Sequence, residues 1–339
     1  MRIMLKNHLY CICLILLTRH KATAVSSYST SVTGDDYVFV GDDLMLTCNL
    51  TDKLLDSYTA LNISFSFSEP EKPESIPRCL PQSNIHVITE QEAMLIVRNV
   101  SINNAGEYMC YAGDSYCFNK DNELLGFSDD IVIDYSPHNV TDIQCVIYNW
   151  NESMNCTWKH PVNYVDESNV NVTSGYTVSS DQPVAANKCP QNSYTGCNFN
   201  KGNFLFVEDY VIEVNVTNIL RKITASVVVH INTYESVKPA PVKQLVPKLV
   251  TDMPGCFVLS WEHEKPWGKF YRIQHKIVDE NIFSVLIDNF IDTTFTSCGY
   301  QPYTHHNFSV ECYPTSPYSG YWSDPVYTDA WTPMTGDFL

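Results

Sequence analysis

Glycine is scarce in this chain, 13 of 339 residues. That argues against the glycine-rich loops that cradle nucleotide phosphates and against propeller repeats. Basic residues are also few: 21 Lys and Arg stand against 38 Asp and Glu, a net charge of −17. A general nucleic-acid binder needs a basic footprint, and so does charge-driven docking to an anionic membrane, so neither partner is expected. One apolar run of nine residues occurs, Leu9 to Leu17. Nothing approaches the roughly 18–20 apolar residues of a bilayer span. The sequence holds no G-x-S-x-G, H-E-x-x-H or Walker motif and no C-x₂-C zinc pair. An enzyme is not expected, nor is a cofactor or a metal. His305-His306 reads as a strand start with one ring packed and the other exposed. Asp129-Asp130 after Ser128 reads as a solvated turn, without the ligand pattern of a calcium loop.

The features that are present agree on a compartment. Arg2 and Lys6 precede the apolar run, and Ala22-Thr23-Ala24 supplies small residues at a cleavage site, so residues 1–24 read as a secretory signal peptide. Its removal takes away four basic residues and brings the charge to −21, which favours basic partners at range. Of 13 cysteines, Cys11 and Cys13 fall in the signal. The remaining eleven imply disulfides with one thiol left over. Nine N-x-S/T sequons, at Asn49, Asn62, Asn99, Asn139, Asn151, Asn155, Asn171, Asn215 and Asn307, imply a glycosylated, extracellular surface.

Short alternating runs recur after the signal, such as Leu44 to Cys48, Tyr210 to Val216, Thr224 to Ile231 and Cys256 to Trp261. Turn signals every 8–12 residues or so mark an all-β chain of tandem β-sandwiches. Proline-bearing joints near Ser136-Pro137 and at Lys238-Pro239-Ala240-Pro241 divide it into 25–135, 136–238 and 239–333, with a polar tail at 334–339. The first piece resembles an immunoglobulin-like domain. Asn104-Ala105-Gly106-Glu107-Tyr108-Met109-Cys110 follows the D-x-G-x-Y-x-C pattern, with Asn for Asp. The likeness implies a Cys48–Cys110 bridge and leaves Cys79 with Cys117. No Trp lies between Cys48 and Cys110, so Phe65 or Phe67 is expected in that core slot.

The second piece carries Cys145, then Cys156-Thr157-Trp158 after ten residues, then a close pair at Cys189 and Cys197. The third carries Asn307-Phe308-Ser309-Val310-Glu311-Cys312 and then Ser319-Gly320-Tyr321-Trp322-Ser323-Asp324. Together these resemble the ligand-binding module of class I cytokine receptors of the interleukin-6 receptor group, and the likeness extends over essentially the whole mature chain. It implies two fibronectin type III domains behind the immunoglobulin-like one. It also implies bridges 145–156 and 189–197 in the second piece and 256–298 in the third. Cys312, on the side of its strand shared with Phe308 and Val310, is expected as a free, buried thiol. The family's G-Y-W-S-x-W-S motif is cut short here, since Pro325-Val326 replaces its second half. Family tryptophans at this motif interleave with arginines of the preceding strand, but the matching positions here are Ser309 and Glu311. The cation–π ladder is therefore expected to be reduced, with Trp322 packing alone.

By this resemblance the chain binds a four-helix-bundle cytokine at the elbow between its last two domains, with a full-length receptor chain as a further partner. The anchors expected there are aromatic: Phe204 and Phe206 on one side of their segment, Trp267, and Tyr313, Tyr318 and Tyr321 around the last hairpin. Asn218 to Lys222 is expected as a neighbouring loop. With no anchor segment before Leu339, the expected form is a secreted trap or carrier, or a truncated receptor ectodomain in a JAK/STAT-type system. The competing expectation is an adhesion protein of the immunoglobulin/fibronectin kind.

Overall fold

The computed structural model describes residues 32–69, 77–115, 117, 121–178, 187–206, 209–253, 255–264 and 268–334. The signal region, the tail beyond Met334 and Trp267 lie outside the described residues. Strands and a few 3₁₀ turns make up the regular structure, with no α-helix among the described residues. The chain divides into two compact units, residues 1–133 and 134–339.

The first unit is a sandwich of two four-stranded sheets. One orders Thr33–Gly34, Leu44–Asn49, Glu92–Val97 and Ile85–Val87; the other orders Arg78–Cys79, Ile63–Ser68, Glu107–Ala112 and Glu123–Phe127. Period-two alternation builds the core between them. Leu44, Leu46 and Cys48 point inward, while Met45 and Asn49 face water. From the facing sheet come Phe65, Phe67, Tyr108, Cys110 and Ala112. Both phenylalanines are buried in this core. Cys48–Cys110 joins the sheets across the core, and Cys79–Cys117 ties the strand beginning at Arg78 to the loop after Ala112. Tyr108 Oη donates to the Asn104 carbonyl at 2.8 Å. This is a tyrosine corner, which gives a buried phenol its partner.

The second unit contains two further sandwiches, so the chain is a tandem array of three. In the second sandwich one sheet orders Gln191–Ser193, Gly196–Asn200, Ser153–Lys159, Thr141–Tyr148 and Val237–Lys238. The other orders Asn187–Lys188, Val170–Thr177, Tyr210–Asn218 and Ile223–Ile231. In the third, Lys243–Leu249, Cys256–Glu262 and Thr294–Cys298 face a sheet of Ser284–Phe290, Lys269–Ile277, His305–Pro314 and Val326–Trp331. Cys145 sits directly opposite Cys156, and Cys256 opposite Cys298, on antiparallel neighbours. Both bridges therefore cross adjacent strands of one sheet, with Cα atoms 4.0 Å apart. Cys189–Cys197 closes a short loop beside the first of them, with Cys197 opposite Cys156. Such a set of disulfides fits an oxidising, extracellular compartment.

Candidate functional site: the elbow of the second unit

The elbow is built on one short segment, Ser236 to Lys238. Alternate residues of an extended chain present their backbone groups to opposite sides, and here both sides are used. The Ser236 and Lys238 carbonyls accept from Ile147 N at 2.7 Å and Asn149 N at 2.9 Å, in parallel pairing with the second sandwich. Val237 turns the other way. Its N–H donates to the Ser319 carbonyl at 3.1 Å, and its carbonyl accepts from Tyr321 N at 2.8 Å, both in the last hairpin loop of the third sandwich. Ser319 N donates in turn to the Tyr234 carbonyl at 2.7 Å. One linker strand thus belongs to both sandwiches. Val237 is fully buried, and Lys238 Nζ bonds Asp324 at 2.7 Å across the joint.

Tyr318 is the hub of an aromatic cluster over this strand. Its ring centroid lies 5.4 Å from Phe206, 5.2 Å from Tyr234 and 6.2 Å from Trp150, the last edge-on. Trp150 occupies the turn after Tyr148 with a φ of 62° and is buried. Phe206 belongs to the loop after Asn200, Tyr234 to the 3₁₀ turn before the linker, and Tyr318 to the loop after Pro314. Four segments of two domains therefore meet in one patch. An open cavity of about 180 Å³ in the second sandwich is lined by Tyr176, Gly202, Phe204, Leu205 and Tyr210, among others, Leu205 being the residue before Phe206 in the chain. Leu205 is 61% exposed at its edge.

A buried cation lies under the cluster. Lys269 Nζ is 5.3 Å from the Trp150 ring, donates to the Glu264 carbonyl at 2.9 Å and contacts His263 Nε2. Burial lowers the lysine to about 8. Burial, with the lysine charge second, lowers His263 to about 4. Neutral His263 can accept from Lys269 at Nε2 and bond the Tyr271 hydroxyl through Nδ1 at 3.0 Å. Cys312 is the free cysteine of the described residues. It is buried, donates to the Ala240 carbonyl at 3.3 Å, and is pushed up to about 11 by burial.

The truncated motif behaves differently from the expectation that Trp322 packs alone. The Arg272 guanidinium sits 4.0 Å from the Trp322 ring centroid. It comes not from the strand that carries Ser309 and Glu311 but from its neighbour, where Arg272 is in register with Glu311. Glu311 and Asp288 flank the guanidinium at 3.9 Å and 3.1 Å. Tyr313 also packs on Trp322, with ring centroids 5.1 Å apart. Ser323 fixes the segment, with Oγ accepting from Cys312 N at 3.0 Å and N donating to the Cys312 carbonyl at 2.8 Å.

The expected anchors fare unequally. Tyr318 lies at the centre of the cluster, and Phe206 joins it half-buried. Phe204 packs in its own domain's core and reaches the surface only as part of the wall of the open cavity. Residues 203–206 form no strand, so strand alternation does not place the two phenylalanines on one side. Tyr313 accepts from Gly320 N at 3.1 Å, and Tyr321 Oη accepts from Gln144 Nε2 at 2.6 Å. Both serve the joint itself. Asn218 to Lys222 is the turn at the far end of the Tyr210–Asn218 strand, where Ile219 N donates to the Asn169 carbonyl. Nine residues of strand, about 30 Å, separate it from the elbow, so it is no neighbour of Phe206. Trp150, Tyr234, Leu205 and Arg272 were not expected. The aromatic residue within Asn232-Thr233-Tyr234, just before the proline joint, was the available signal. His306 is buried and His305 stacks on Trp331, 4.4 Å between centroids.

Two sandwiches sharing a linker strand, with short-range cysteine bridges in the second sandwich and an arginine over the motif tryptophan in the third, fit the resemblance to class I cytokine receptors. The chain is similar in sequence to a protein of that class. It is 25% identical over 175 residues to the ciliary neurotrophic factor receptor subunit alpha of Gallus gallus, a match covering 51% of this chain and 44% of that protein. The chain thus spans less than half the length of this curated relative. A solved structure described as "Cytokine receptor complex - Crystal form 1A" superposes with a TM-score of 0.42 at 16% identity, over 58% of this chain and all of the other. No family model matches the sequence.

Proposed function

We propose that the chain is an extracellular cytokine-binding receptor chain that takes a helical cytokine at the elbow of its second unit. The observation that carries this reading is the Tyr318 cluster, in which aromatic side chains from both sandwiches meet over a backbone-locked joint beside an exposed leucine. Hot spots favour rigid aromatics at the centre of a contact. A shallow cavity rimmed by Leu205 suits one inserted apolar side chain better than a small-molecule ligand. The two fibronectin-type domains act as one rigid arm, and a second receptor chain completes the signalling assembly.

The name of the chicken relative makes ciliary neurotrophic factor the first probe, followed by a panel of four-helix-bundle cytokines. Surface plasmon resonance on the intact secreted glycoprotein should detect one of them, and a Leu205→Ala/Phe206→Ala double variant should weaken that binding at least tenfold. Absence of binding across the panel, with concentration-dependent self-association in sedimentation, would replace this reading with an adhesive one.

A further inference from the structure

On the outer face of the second sandwich lies an open groove of about 680 Å³, lined by Asp142, Ile143, Gln144, Thr157, Trp158, Lys159 and Thr195. Its origin is local. The strand pair Thr141–Tyr148 and Ser153–Lys159 is irregular between Thr141 and Gln144, where Asp142 has a φ of 52°, and a bulge bends its strand away. On the other flank Thr157 is in register with Gly196. A Cβ at Gly196 would lie 2.6 Å from the Cys156 carbonyl oxygen, so no side chain can fill the face there. The walls mix apolar surface with Gln144, Thr157, Thr195 and the Asp142–Lys159 ion pair at 3.1 Å. That pattern suits a ligand with a hydrocarbon face and ringed hydroxyls better than it suits a lipid or an aromatic.

Thr157 is also the third residue of the sequon Asn155-Cys156-Thr157. On a strand, residues i and i+2 share a face, and Cys156 points into the core. Asn155 therefore projects outward beside the groove, about 7 Å along the strand from Thr157. We propose that this groove is the seat of the chain's own glycan: the first N-acetylglucosamine units on Asn155 fold back onto Gln144, Thr157 and Thr195 rather than extending into solvent. Gln144 also holds the Tyr321 hydroxyl of the third sandwich, so a seated glycan covers one side of the elbow and directs partners to the other. The inference concerns glycan packing and stands apart from the identity of any cytokine.

The test is site-resolved deglycosylation of the native secreted protein, with peptide N-glycosidase as the probe and glycopeptide mass spectrometry as the readout. Asn171 is the internal reference, because it is exposed on the opposite sheet. Release from Asn155 should be at least tenfold slower than from Asn171, and equal to it after denaturation. Thr195→Arg, which fills the groove and leaves the sequon intact, should bring the two native rates together. Gln144→Ala, a smaller change that serves if the arginine variant does not fold, should do so in part. An unoccupied Asn155, equal native rates in the parent protein, or slow release untouched by both variants would each overturn the proposal.

Discussion

Gly320 lies flat against Val237: a Cβ on the glycine would sit 2.4 Å from the Val237 carbonyl oxygen and 2.5 Å from its nitrogen. The glycine also has a φ of 144°, a region that residues with a side chain rarely enter. The glycine of the Gly-Tyr-Trp-Ser stretch is thus required by the linker strand and not by the tryptophan beside it. Gly320→Ala should cost about 1–3 kcal/mol from backbone conformation alone, and more from the lost contact with Val237. Urea unfolding of the whole protein should show the second unit melting earlier, with the first unit unchanged.

Arg272 is held between Trp322, Glu311 and Asp288. Its removal takes away a cation–π contact worth about 1–2 kcal/mol when partly desolvated and leaves Glu311 without its cation. Burial already raises the Glu311 carboxyl, and the arginine opposes that rise. Arg272→Ala should therefore raise it further, which carboxyl-labelled NMR would read directly. Arg272→Lys should restore the charge but not the planar stacking, and so rescue stability only in part.

Acid should weaken the second unit in a defined window. His263 and His306 are lowered from 6.5 to about 4, both chiefly by burial. The unfolded chain then binds these protons first, so the stability they contribute is complete above about 6.5. It declines as pH falls through 6.5 toward 4, and below about 4 the native state is protonated too and this loss levels off. His306→Phe should flatten the slope between pH 6.5 and 4 in thermal melts; an unchanged slope would remove His306 from the account.

Cys312 should be chemically silent in the native state. Its thiol is buried and pushed up to about 11, so thiolate at neutral pH is rare and shielded. Iodoacetamide at pH 8 should label the folded, secreted chain negligibly and should label one cysteine after denaturation without reductant.

The tyrosine corner offers a test in the first unit. Tyr108→Phe keeps the buried ring and leaves the Asn104 carbonyl without its donor. About 1–2 kcal/mol should be lost, seen as a lower midpoint for the first unit's unfolding.

Much of this architecture could be read from local chemistry. Leu44 to Cys48 alternates strictly because one face of its strand is core, and Tyr108 two residues before Cys110 carries its own hydrogen-bond partner upstream. Cys256 and Cys298 end up opposite one another because they begin and end antiparallel neighbours. The site was less legible, for one physical reason. Arg272 meets Trp322 only through the register of its strand against the Glu311 strand, and Trp150 meets Tyr318 only because the linker pins two domains together. Neither relation leaves a mark in nearby sequence. Phe204 and Phe206 show the opposite hazard, since they sit in a loop, where the period of two of a strand does not hold.

The shared strand at Ser236 to Lys238 has a mechanical consequence. To flex, the elbow must break backbone hydrogen bonds on one side of Val237 or the other and expose buried polar groups. The angle between the two sandwiches is therefore set before any partner arrives. A partner bound at the elbow, as proposed, would be spared the ordering cost of a hinge, and a displacement of the second sandwich would be passed on to the third as a rigid lever passes a push.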